Sequence, residues 1–82
     1  MKVPLIARVE CRSDMKGEER PVAVWIGGER LRITKLKNPR IRGSAEAGLA
    51  AFYAAEATLR DEREIGLERR LPDGEWRVFQ LS

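Results

Sequence analysis

Residues 22–36 read Val22-Ala23-Val24-Trp25-Ile26-Gly27-Gly28-Glu29-Arg30-Leu31-Arg32-Ile33-Thr34-Lys35-Leu36. Two runs rich in β-branched and apolar residues flank a glycine pair. Such a pair closes a two-residue hairpin, because both glycines can take φ > 0 without a Cβ clash. The pairing then follows by counting outward: Ile26 faces Glu29, Trp25 faces Arg30, Val24 faces Leu31, Ala23 faces Arg32 and Val22 faces Ile33. Side chains alternate along a strand, so Val22, Val24, Leu31 and Ile33 share one side. Trp25, Arg30, Arg32 and Thr34 share the other. The first set reads as a core face. The second sets an indole beside two guanidinium groups, a geometry suited to cation–π contact.

Working outward, Leu5, Ala7, Val9 and Cys11 alternate with Arg8, Glu10 and Arg12, the pattern of a half-buried strand. Cys11 reads there as a small core residue. Ser13 to Arg20 is polar with a central glycine and reads as a loop, with Pro21 opening the next strand. On the far side of the hairpin, Asn38-Pro39 stops the second strand and residues 40–43 continue as a basic loop. Ser44 is a good N-cap for a short helix near 44–51. From Tyr53 a strand pattern takes over: Tyr53, Ala55, Ala57 and Leu59 alternate with Ala54, Glu56, Thr58 and Arg60.

A three-stranded meander follows. With residues 60–64 as a loop, Leu59 faces Ile65, Ala57 faces Leu67 and Tyr53 faces Leu71. Pro72-Asp73-Gly74 makes the next turn. A bulge at Gly74 then sets Leu67 against Phe79 and Ile65 against Leu81, leaving Arg69 and Arg77 as inward exceptions that snorkel out. The fold expected is mainly β: one domain over residues 1–82, a curled or barrel-like antiparallel sheet of about six strands, and one short helix. The alternative is an α+β fold with a helix at 44–63 on a five-stranded sheet.

Composition narrows the function classes. The chain has 82 residues, one cysteine and no histidine. No internal disulfide, no common zinc set and no Ser/His or Cys/His catalytic pair can be assembled from that inventory. No apolar run approaches the roughly 20 residues of a membrane helix, and Arg8 and Glu10 interrupt any signal-peptide core. A cytoplasmic, non-enzymatic protein with no cofactor, metal or membrane association is expected. Only two amides among many Arg and Glu hint at a thermophilic composition.

The net charge of +3 is unevenly spread. Residues 29–42 carry Arg30, Arg32, Lys35, Lys37, Arg40 and Arg42 against Glu29 alone, a net +5, whereas residues 43–68 sum to −4. The carboxylates Asp61, Glu62, Glu64 and Glu68 fall in or beside a polar turn, where nothing would shift them toward acid/base chemistry. The candidate site is therefore the basic segment 25–42. Arg30, Arg32, Lys35, Lys37, Arg40 and Arg42 would contact phosphates and Trp25 would stack on an unpaired base. The alternative is a protein-interaction or homodimerisation module on the same hairpin face, with an acidic protein or a second copy as partner.

Several segments also resemble a known family: Arg20-Pro21-Val22-Ala23-Val24-Trp25, Gly27-Gly28-Glu29-Arg30-Leu31-Arg32-Ile33, Phe52-Tyr53, and Asp73-Gly74-Glu75-Trp76-Arg77-Val78. Together they resemble a bacterial family of small uncharacterised β-rich domains, over roughly residues 20–80. Some members stand alone and others end proteins related to translesion DNA polymerases. Members usually carry a tryptophan soon after the hairpin, where this chain has Lys37-Asn38-Pro39-Arg40. The resemblance implies a fold more than a function.

Overall fold

The hairpin forms as its sequence dictates. In the computed structural model, which describes residues 3–13, 19–43, 51–71 and 74–81, Gly27 and Gly28 turn with φ of 59° and 80°. Ile26 lies opposite Glu29, Trp25 opposite Arg30, Val24 opposite Leu31 and Ala23 opposite Arg32. The strands are β1 (Val3–Leu5), β2 (Ala7–Ser13), β3 (Glu19–Ile26), β4 (Glu29–Arg42), β5 (Phe52–Leu59), β6 (Glu64–Arg70) and β7 (Trp76–Gln80). They form one antiparallel sheet in the order β1-β7-β6-β5-β4-β3-β2.

The two edge strands, β1 and β2, are consecutive in the chain and separated by Ile6 alone. One N-terminal stretch thus pairs with β7 through its first half and with β3 through its second. The sheet must curl until its two edges meet at that residue, which gives the barrel-like form. Ile6 itself is 99% exposed. The break also explains why seven strands are present where six were expected.

The concave side holds Val24, Leu31, Ala57, Leu59, Ile65, Leu67 and Val78, all buried, with Leu5, Ala7, Val9, Ile26, Ile33, Leu36 and Trp76 packed around them. Each large member of this cluster contributes about 1.5–3 kcal/mol by leaving water. Val22 is half-buried; a register shift between Glu10 and Cys11 sets Cys11 against Pro21 and leaves Val22 without a partner on β2.

Several expectations need correction, and one falls largely outside the described residues. Phe52–Leu59 is a strand, so the alternative helix at 44–63 does not form. The short helix expected at 44–51 falls on residues 44–50, which lie outside the described set, and on Ala51, which is not helical. The β5–β6 register differs by two residues: Ala57 faces Ile65 and Ala55 faces Leu67. The turn is tighter than assumed. Glu62 N–H donates to Leu59 O at 2.8 Å, Leu59 N–H donates to Arg63 O at 2.9 Å, and Glu62 takes φ 69°. That is a three-residue hairpin loop ending in a left-handed residue. A two-residue slip keeps every side chain on its expected side.

The β6–β7 register, in contrast, differs by one. Leu67 faces Val78 and Ile65 faces Gln80, not Phe79 and Leu81. This moves Trp76 and Val78 inward and turns Arg77 and Phe79 to the convex side. The physical reason is Arg77: the expected register would have aimed its guanidinium at the core, and the observed one exposes it. Arg69 does face inward. It is held there by Glu19 at 2.8 Å, by Gly74 O at 3.1 Å and by the Trp76 ring at 5.6 Å.

Candidate nucleic-acid interface

The second hairpin strand does not stop at Asn38-Pro39. β4 runs on through Arg42, 14 residues in all. Two register shifts against β5 make this possible, one between Ile33 and Lys35 and one between Lys37 and Arg40. Asn38, at φ 50°, lies in the second; asparagine is among the few residues that tolerate the left-handed region. Pro39, with no N–H to donate, is skipped in the pairing.

These shifts decide the surface. A regular strand would alternate, so Arg30 and Arg32 outward would force Lys35 and Lys37 inward. Each shift absorbs one odd step. Ile33 pairs with buried Leu59, and Leu36 with buried Ala57, while Lys35 pairs with Thr58, Lys37 with Glu56 and Arg40 with Ala54 on the convex side. Arg30, Arg32, Lys35, Lys37 and Arg40 therefore all lie along one outward stripe. Arg42 keeps a backbone register opposite Phe52.

The stripe is partly neutralised. Arg30 pairs with Glu10 at 2.7 Å, Lys37 with Glu64 at 2.8 Å and Arg40 with Glu56 at 2.7 Å. Arg32 and Lys35 make no ion pair among the described residues. Arg60, whose backbone N–H donates to Arg32 O at 2.9 Å, adds a third cation beside them. Exposed pairs of this kind each contribute only about 0.2–1 kcal/mol, so a ligand phosphate can replace a carboxylate at small cost.

Trp25 is half-buried and sits in a bracket supplied by β2. Its indole N–H donates to Glu10 at 3.3 Å, and the Arg8 guanidinium lies over its ring at 5.4 Å. The expected cation–π partners, Arg30 and Arg32, do not take that place. Arg30 instead sends Nε and a terminal nitrogen to the two oxygens of Glu10. That fork, with the indole donor, holds the Glu10 carboxyl down at about 2 against an ordinary 4.5, and the same contact raises Arg30. Arg8 and Glu10 were legible as outward residues of their strand. Their meeting with Trp25 follows only from the β2–β3 register, Arg8 opposite Trp25 and Glu10 opposite Ala23.

The acidic residues of 61–68 disperse. Asp61 accepts the Arg63 N–H at 3.1 Å and caps its own turn, Glu64 goes to Lys37, and Glu68 lies between Ala54 and Arg77 in register. Among the described residues no three His, Cys, Asp or Glu side chains gather as a metal set, and no helix is long and apolar enough to cross a membrane. Comparison with protein-family models, with curated proteins and with solved structures finds no match for this chain.

Proposed function

We infer that this protein is a non-catalytic module that binds nucleic acid along β4. Arg32, Lys35, Lys37 and Arg40 contact phosphates, with Trp25 and Arg30 at one end of the track and Arg42 at the other. The observation that carries this reading is the pair of register shifts. They cost regular pairing at two places in one strand, and their effect is to keep five cations in an outward line. A row of cations on a curved sheet complements a polyanion that follows the strand.

The test is fluorescence anisotropy of labelled single-stranded and duplex DNA and RNA, at low and at higher salt. Arg32→Glu/Lys35→Glu protein runs beside the wild type, with light scattering on the free protein. Saturable binding that weakens with salt and is lost in the variant is expected, because phosphate contacts release counterions. A protein that binds none of the probes and scatters as a dimer overturns the reading.

The competing reading is a protein-interaction or homodimerisation module. One observation favours it: Ile41, between Arg40 and Arg42 on β4, is 67% exposed. Association through such a residue would be insensitive to salt.

A further inference from the structure

We propose that Phe52 is a stacking platform for an unpaired base, so that the ligand is a single strand with its backbone on β4 and one base turned into the cleft beside Phe52. This rests on the reading of β4 as a phosphate-binding strand.

Phe52 starts β5, the strand next to β4, and strands lie about 5 Å apart. It is paired in register between Arg42 and Arg70 and is 39% exposed. Its neighbouring row across the sheet is Arg40, Ala54, Glu68 and Arg77. A cleft of about 370 Å³ opens beside it, bounded by Phe52, Trp76, Arg70, Arg77, Glu68 and Glu75. That volume is within the range of small-ligand sites. Trp76 reaches the cleft from the concave side, where it meets the edge of Tyr53 at 5.6 Å and 86° and carries Arg69 over its ring, so Phe52 is the ring on the same side as the outward cations.

The charges define the orientation. Arg70 and Arg77 are exposed and make no ion pair among the described residues. Glu68 and Glu75 on the same rim repel phosphate, and carboxylates accept hydrogen bonds from base amino groups. A base therefore suits the cleft, while the phosphates suit the outward line of β4 and the two arginines. Trp25 offers a less accessible ring: a base there must displace the Arg8 guanidinium.

The experiment compares a mixed-sequence single strand of about 15 nucleotides, matched to typical single-strand site sizes, with a duplex of the same sequence. Wild type, Phe52→Leu, Phe52→Ala and Phe52→Tyr are titrated by anisotropy, with circular dichroism confirming the fold. Phe52→Leu keeps an apolar side chain without a π-face, so it reports stacking even if Phe52→Ala unfolds. Single-strand affinity should fall about tenfold in Phe52→Leu and recover in Phe52→Tyr, and duplex affinity should stay unchanged. Undiminished single-strand binding by Phe52→Leu, or equal loss on both probes, overturns the assignment of Phe52 while leaving the β4 reading standing. Wild type that binds neither probe overturns both.

Discussion

Arg30 reaches across β3 to close a fork on Glu10, with hydrogen bonds of 3.1 and 2.7 Å. Two strands that are not neighbours are joined over the Trp25–Ala23 face, and the indole N–H binds the same carboxylate.

The first prediction concerns acid. The Glu10 carboxyl is depressed to about 2 in the folded protein against an ordinary 4.5. Its stabilising effect is therefore complete above about 4.5 and is lost as pH falls toward 2. Denaturant midpoints of wild type and Glu10→Gln should differ at neutral pH and converge across that window. A constant gap at all pH values would contradict the fork.

The second concerns the bend in β4. Asn38 holds φ 50° within the second register shift. Asn38→Gly should fold with little change, whereas Asn38→Val should lose about 1–2 kcal/mol to the left-handed backbone. Chemical denaturation measures both.

The third separates two glycines. A Cβ at position 74 would lie 2.7 Å from both the Cβ and the carbonyl oxygen of Arg70, whereas one at position 66 would meet only Leu81 at 3.5 Å. Gly74→Ala should cost about 1–3 kcal/mol, since the turn backbone must move. Gly66→Ala should be tolerated in the same thermal melt.

The fourth contrasts core and hinge. Leu67 is fully buried and Ile6 is fully exposed. Leu67→Ala should lose about 2–5 kcal/mol through a cavity in the barrel interior. Ile6→Lys should stay within about 0.5 kcal/mol, although it sits where the sheet edges meet.

The fifth uses the single thiol. Burial raises the Cys11 pKa, and the nearby Glu19 carboxylate adds to the effect. Less thiolate is present at a given pH than for a solvated cysteine. Disulfide-exchange labelling should be slow in the folded protein and accelerate on unfolding. Rapid labelling of the native state would contradict this environment.

The spacing of cations along β4 encodes its two register shifts. Arg30, Arg32, Lys35, Lys37, Arg40 and Arg42 step by two, three, two, three and two. Each step of three marks one of the two register shifts, so the outward line from Arg30 to Arg40 is legible in the spacing. Asn38-Pro39 alone suggests a stop, because proline cannot donate to a ladder; a bulge removes that objection by leaving Pro39 unpaired. Arg69 was legible as an inward exception, but its partner Glu19 is 50 residues away in sequence, and no local pattern links them.

The features legible in the chain are local. The Gly27-Gly28 turn set the first hairpin register, because few residues other than glycine accept that backbone, and the period of two set which residues of β2, β3, β5 and β6 face inward. Where turns of ambiguous length place their strands, and how distant strands meet, depends instead on the assembled sheet. The Leu71–Glu75 turn could have served either of two β6–β7 registers, and the observed one keeps the Arg77 charge in water. The closure of the sheet at Ile6, the Glu10 bracket on Trp25 and the gathering of Phe52, Arg70 and Arg77 all follow from that global pairing, which depends on burial summed over the whole sheet.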